Sequence, residues 1–247
     1  MFIKANNTEF NNYLIVEAKG LELLAQQTQG LKIKVPKIHS VNNKELILES
    51  IATITCSPEQ ANLFGCELAK MHQIESPRYG LNYDNYIGLS PQKNMWSNNW
   101  GEFFYQFRLN AKLEQVKDKF LRQSWREDLQ QLKTKLIPWL NKNCSAPTLI
   151  HGDLWSGNYL CDKSSVWMID PAVYFADSEV DIAMTEMFGG FAPEFYHGYQ
   201  AIKPLTTAYP VKKVIYNLYH YLNHYNLFGS AYLKDCHRSF HFIKQHL

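Results

Sequence analysis

The strongest constraint on the fold is a run of chemistry-bearing residues around one short loop. His151-Gly152-Asp153-Leu154-Trp155-Ser156-Gly157-Asn158 follows the apolar, strand-like Thr148-Leu149-Ile150. The pattern predicts a β-hairpin next, pairing Asn158 to Cys161 with Val166 to Ile169 across the turn Asp162-Lys163-Ser164-Ser165. Such a hairpin sends the chain out and back, so Asp170 of Ile169-Asp170-Pro171 returns close to Asn158. Two carboxylates and an amide therefore converge with no helix to align them. Taken singly, each is an ordinary turn residue, and an Asp before Pro usually is one. Taken together they suit phosphoryl transfer. One carboxylate would orient and deprotonate a hydroxyl, while an amide oxygen and the second carboxylate would hold Mg²⁺ on phosphates.

The flanking sequence predicts a small mixed segment leading into a mostly helical one. Phe2-Ile3-Lys4 reads as a short strand. Phe10, Leu14, Glu17, Leu21 and Leu24 recur at helical spacing up to Gln29, and Gly30 fits the stop. Lys37 to Val41 and Glu45 to Glu49 read as strands joined by a turn at Asn42-Asn43-Lys44. Ser57 and Pro58 look like the cap and first turn of a helix running to His72. Ile74 to Asn99 reads as a long ordered loop, punctuated by Gly, Pro and Asn. Helices are expected at Trp100 to Val116, Trp125 to Leu140, Val180 to Phe188, Pro193 to Ile202, Val211 to Asn226 and Ser230 to Gln245. The fold class is therefore α+β, with a small lobe over residues 1–51 and a helical lobe over 52–247.

Composition narrows the function. Lys plus Arg is 25 against 23 for Asp plus Glu, so no basic footprint for nucleic acid or membrane is present. No apolar run is long enough to cross a bilayer, and the N-terminus lacks a signal core. The five cysteines are scattered, with no CxxC pair, which suits reduced thiols in the cytoplasm better than zinc or disulfides. His220/His224 and His237/His241 have helical i,i+4 spacing but no accompanying Glu or Cys, and read as core or surface residues. GxSxG, GxGxxG and the Walker loop are absent, against a hydrolase elbow, a Rossmann enzyme or a P-loop NTPase. The aromatic stretch Trp96 to Phe107 reads as core.

The loop resembles the catalytic loop of the fructosamine kinase (ketosamine kinase) family, a branch of the protein-kinase-like fold near aminoglycoside phosphotransferases and choline kinases. Three other blocks carry the likeness: Asp84-Asn85-Tyr86-Ile87-Gly88 with Pro91-Gln92 and Asn94; Trp100, Phe103 and Arg108-Leu109; and Glu179-Val180-Asp181-Ile182-Ala183-Met184-Thr185-Glu186-Met187-Phe188-Gly189-Gly190. The resemblance implies Asp153 as catalytic base and Asn158 and Asp170 as metal ligands. His151 and Asp181 would shape and anchor the loop. Trp155 would either stack on a sugar–amine substrate or pack. Lys4 would contact nucleotide phosphates with Glu17 as its partner, and backbone groups around Glu49 and Ile51 would meet adenine. ATP and Mg²⁺ are the implied cofactors, and a small-molecule or protein-bound ketosamine the substrate. Transfer to its 3-hydroxyl would serve deglycation.

One element of the family pattern is missing. Its glycine-containing hairpin lies upstream of the lysine strand, but here the lysine is residue 4 and the first glycine is Gly20. The chain as read is a small-lobe-truncated form, either part of a longer enzyme or a natural short one. Two alternatives stay open: a kinase of another small alcohol, as for aminoglycosides or choline, and a nucleotide-binding pseudokinase.

Overall fold

The computed structural model describes residues 1–247. β1 (Phe2–Ala5) and α1 (Tyr13–Gln27) open the chain, followed by β2 (Ile33–Lys34), β3 (Ile38–Val41) and β4 (Glu45–Leu48). β4 lies between β1 and β3 in an antiparallel sheet, with Lys4 opposite Leu46. Leu14, Ala18 and Leu21 fall on one face of α1 and bury together with Leu46 and Leu48 of β4. That packing fixes Glu17, on the same helix, beneath the lysine strand.

α2 (Pro58–Met71) begins where the sequence placed its cap. Gln60 N donates to Ser57 Oγ at 3.2 Å, and Ser57 N donates to Gln60 Oε1 at 3.1 Å. This reciprocal box satisfies two otherwise orphaned amides. The expected loop over 74–99 in fact holds a hairpin, β5 (Asn85–Ile87) and β6 (Ser90–Gln92). Strands this short show no readable alternation, and Pro91 hides the second one.

The helix expected from Trp100 is three pieces. α3 (Trp100–Phe103) runs through a π-helical stretch, Phe104–Asn110, into α4 (Ala111–Leu113). The wide turn accompanies the full burial of Arg108, whose guanidinium donates to Lys93 O and Asn94 Oδ1, both at 2.8 Å. α5 (Lys119–Asn143) starts earlier than Trp125, because Asp118 Oδ1 accepts from Phe120 N at 2.9 Å and Leu121 N at 3.0 Å.

β7 (Thr148–Ile150) precedes the loop, and the expected hairpin is β8 (Tyr159–Cys161) with β9 (Val166–Met168), in the register Leu160 to Trp167. Two pairings were not legible in the sequence. β2 runs parallel to β9, and β10 (Tyr174–Ala176) runs antiparallel to β7. Strands of two or three residues are too short to show an alternation. α6 (Glu179–Thr185), α7 (Pro193–Ile202), α8 (Tyr209–Phe228), a 3₁₀ turn and α9 (Leu233–His246) complete the chain. A contiguous apolar core runs from Leu24 through α2, α5 and α8 to Ile243, with Trp100, Phe103 and Phe104 fully inside it. All five cysteines are free, and no helix is long and apolar enough to cross a membrane.

Candidate active site

The loop between β7 and β8 hangs from one buried carboxylate. Asp181, on α6, is fully buried and accepts His151 N at 2.7 Å and Gly152 N at 2.8 Å. His72 Nε2 approaches its Oδ2 at 3.3 Å, and His72 Nδ1 lies 2.9 Å from the Tyr199 hydroxyl. Burial alone would raise the Asp181 pKa, but the bond and charge of His72, with His151 and the Gly152 amide, hold it below the usual carboxylate range. Gly152 sits at φ 81, and a β-carbon there would collide with Ala172 O. No other residue fits that close approach.

His151 works as a strut. Its Nε2 lies 2.8 Å from Ile169 O and its Nδ1 accepts the Asp153 amide at 3.3 Å, which sets the Nε2–H tautomer. Burial depresses its pKa despite Asp181 nearby, so the ring stays neutral. The imidazole thereby ties the start of the loop to the end of β9.

Asp153 is partly buried, and Asn158 Nδ2 donates to its backbone oxygen at 2.8 Å and to its Oδ2 at 3.2 Å. Burial raises the Asp153 carboxyl most, Asn158 draws it down, and Asp170 and Asp181 add to the rise, which together leave it pushed up to about 7. The hairpin returns as expected: Ile169 N donates to Asn158 O at 3.0 Å, which brings Asp170 beside Asn158. Asp170 is left-handed at φ 52, a region Asp tolerates better than most residues.

Lys4 crosses from the small sheet to meet it. Its Nζ lies 2.8 Å from Asp170 Oδ1 and 2.9 Å from both carboxylate oxygens of Glu17. Burial works against the Lys4 charge, but the two carboxylates outweigh it and hold the ammonium above its usual range. The Tyr13 ring, 6.0 Å from Nζ, adds a weak cation–π contact that the sequence did not reveal.

Lys4, Glu17, Asp153, Trp155, Asn158 and Asp170 line one cavity of about 280 Å³. His151 and Asp181 stand behind it. Glu49 and Ile51 do not line it. Glu49 instead ties the end of β4 to Lys37, accepting Lys37 N at 3.3 Å and donating its own N–H to Lys37 O at 2.8 Å. The Trp155 ring lies across Gly157, where any β-carbon would strike it, and remains 37% exposed. α8 contributes Asn223, His224 and Phe228 to the same wall. Only the His220/His224 spacing drew notice in the sequence, and it gave no hint of that position.

The donor set suits a hard cation. Asn158 uses its amide N–H groups on Asp153, which leaves its Oδ1 free, and Asp170 keeps its Oδ2 clear of Lys4. No three His, Cys, Asp or Glu residues cluster closely enough to cage a metal. A cation at Asn158 and Asp170 would complete its shell with phosphate and water oxygens, the habit of Mg²⁺.

The family model described as fructosamine kinase matches residues 1–246. The chain belongs to the fructosamine kinase family. A Vibrio parahaemolyticus protein named as a ketoamine kinase is 40% identical over 240 residues, covering 95% of this chain and 81% of that protein. A solved structure from Haemophilus somnus, described as a fructosamine-3-kinase, superimposes with a TM-score of 0.84 at 27% identity, over 98% of this chain and 82% of that one. An ADP-bound aminoglycoside phosphotransferase shares the fold at a TM-score of 0.56 and 16% identity, over 91% of this chain and 81% of its own. The α+β protein-kinase-like fold and the phosphotransferase class expected from the sequence are thus the ones found.

Proposed function

We propose that this chain transfers the γ-phosphoryl group of ATP to the 3-hydroxyl of the sugar half of a ketosamine, as a deglycating or repair kinase. The observation that carries the reading is the convergence of Asp153, Asn158, Asp170 and the Lys4–Glu17 pair on one cavity. Asp153 is the base: its carboxyl is withdrawn from water and oriented by Asn158, so it can accept the hydroxyl proton as attack begins. Its raised pKa strengthens it as a proton acceptor near neutral pH. Lys4 directs a point charge at the phosphates, with Glu17 fixing its direction.

Asn158 and Asp170 supply the oxygens for Mg²⁺, which when bound would neutralise charge on the phosphates. Trp155 offers a flat face to the sugar, and adenine extends beyond the cavity toward the backbone that follows Glu49, whose own N–H is taken by Lys37 O. His151 and Asp181 hold the loop in register. The carrier of the ketosamine is a small molecule or a protein side chain. Five free thiols suit a reducing compartment, and we place the enzyme in the cytoplasm.

The test is a coupled ADP-release assay of the full chain with ATP, Mg²⁺ and fructosyl-lysine, run beside choline and an aminoglycoside. Turnover confined to fructosyl-lysine is expected. Turnover of choline or the aminoglycoside alone would replace the substrate assignment, and nucleotide binding without any turnover would replace the enzyme with a binding protein.

A further inference from the structure

α1 carries Glu17, and the small sheet is not its only support. Tyr86, in the middle of β5, lines the cavity and leans on the N-terminal end of α1. Its ring centroid lies 5.0 Å from that of Phe10 and 5.1 Å from that of Tyr13, and its hydroxyl donates to Asn12 Oδ1 at 2.7 Å. Asn12 stands at the N-cap of α1, where an asparagine oxygen ordinarily accepts from a first-turn amide. Here it caps nothing and takes the Tyr86 hydroxyl instead. Two turns further along α1, Lys19 Nζ lies 5.6 Å from the centre of the Tyr83 ring. A β-carbon added at the next residue, Gly20, would rest 3.4 Å from Val173 and 3.5 Å from Pro171. One face of the helix thus runs close against the segment that follows Asp170.

The hairpin behind Tyr86 is tied to that same segment. Asn85 and Gln92 are buried, and their side-chain amides donate to Val173 O at 2.8 Å and to Ala172 O at 3.0 Å. Gln92 also donates to Asn85 Oδ1 at 2.8 Å and accepts the Tyr219 hydroxyl at 2.6 Å. Successive strand residues face opposite ways, so Asn85 and Ile87 face the core and Tyr86 the cavity. Buried hydrogen bonds of this kind are costly to break, so Tyr86 stands on a rigid base.

We propose that Tyr86 is a positioning residue for phosphoryl transfer: through it, the β5–β6 hairpin is a strut from the segment after Asp170 to α1, and it keeps Glu17 where it aims Lys4. The inference rests on the kinase reading. A lysine–glutamate pair must be in place for phosphoryl transfer in kinases, and the position of the helix bearing the glutamate decides whether it is. Leu14, Ala18 and Leu21 set α1 on its own sheet, whereas Tyr86 and Gly20 set it on the helical lobe. With the strut cut, fewer molecules hold Lys4, Glu17 and Asp170 in one arrangement. Apparent ATP affinity falls in proportion to that competent fraction.

Calorimetric titration of the full chain with Mg²⁺ and the non-hydrolysable ATP analogue AMP-PNP tests this without a ketosamine. Y86A is expected to weaken binding about fourfold. N12A removes the partner of the hydroxyl at a residue that does not line the cavity, and should weaken it about twofold. Y86F, which keeps the ring, should match N12A. Y86A added to E17Q should cost less than about a further 1.5-fold, because Tyr86 acts through Glu17. A residue that only packs would lower the Tm and leave these affinities alone. Binding by Y86A within about 1.5-fold of wild type, or a Y86A loss that multiplies in full with that of E17Q, would overturn the proposal. Kinetics with fructosyl-lysine give a second readout: in Y86A the KM for ATP is expected to rise, with the KM for fructosyl-lysine within about twofold of wild type. The reverse split would make Tyr86 a substrate contact and overturn the strut. If the wild type binds the analogue but turns over no ketosamine, the kinase reading falls and the titration still decides the strut. If it binds no analogue, both fall.

Discussion

Asp153 and Lys4 line the same cavity, but the fold holds them by different means. The loop carrying Asp153 ends its amides on a fully buried carboxylate and is braced by a fully buried imidazole. The strand carrying Lys4 lies at a sheet edge, with Phe2 55% and Ile3 60% exposed. Lys4 is fixed only through side-chain ion pairs, and its Asp170 partner is 47% exposed. Buried hydrogen bonds of the first kind are insensitive to salt and costly to lose. The half-exposed Lys4–Asp170 pair is screened and contributes little to stability, while the burial of Glu17 shelters the Lys4–Glu17 pair from that screening. In the proposed mechanism this division has a use: the base stays fixed, while Asp170 is free to exchange Lys4 for a metal.

The largest effect should come from D153N. Loss of the base is expected to lower kcat by about a thousandfold in the ADP-release assay. Stability should move the opposite way. Asp153 titrates near 7 in the folded chain and an unfolded aspartate near 3.9, so between those values only the folded state keeps its proton. Raising the pH through that window weakens the fold, and asparagine removes the penalty. D153N should therefore melt above wild type at pH 8, with the difference gone by pH 4. The same ionisation predicts that wild-type kcat/KM falls as pH drops below about 7. A D153N protein that melts lower than wild type at pH 8 would show the loop to depend on the Asp153 charge, and the contrast with Lys4 would narrow.

D181A should be next. It strands two buried amides and the His72 ring, at a cost of about 3 kcal/mol, or a Tm lower by about 6–12 °C. Differential scanning calorimetry at low and high salt would show the loss unchanged between the two. A loss that shrinks in salt would mean the loop is held by screened charge after all.

The legible half of this site was the local half. Asp153, Asn158 and Asp170 announced themselves because loop and hairpin keep chemically distinct residues within a few positions, and chain geometry alone brings them together. The Lys4–Glu17 pair came from the family resemblance and is present at 2.9 Å. His72 was invisible, since nothing local ties a helix C-terminus to a carboxylate far along the chain. The α8 wall was invisible for the same reason: Phe228 and His224 look like ordinary amphipathic-helix residues until α6 places Phe188 against them. In the fold, helices with caps and apolar periodicity were legible, while β2, β5, β6 and β10 were too short to have a period.

K4M should leave the fold almost untouched and raise the KM for ATP by about ten- to a hundredfold, the value of one charge-assisted hydrogen bond. At pH 6, where Glu17, pushed up to about 7 by burial, can take a proton in place of its lost cation, the Tm should shift by less than about 3 °C, since the exposed Asp170 pair adds little. A collapse in Tm comparable with D181A would erase the distinction between the two regions.

The smallest effect should come from E17Q, and it tests why Lys4 has two partners. Without nucleotide, Asp170 still holds the ammonium at 2.8 Å, so the variant should fold and melt as wild type does. Once Asp170 turns to a metal, Glu17 is the one carboxylate left to aim Lys4, and a neutral amide does that less well. The expected result is a rise in the KM for ATP of about threefold to fivefold, smaller than in K4M. Combining E17Q with D170N should therefore cost about as much ATP affinity as the two single changes added, because with nucleotide bound the two carboxylates serve different partners. A loss well beyond additivity in that double-mutant cycle would mean that Asp170 still aims Lys4 when nucleotide is bound.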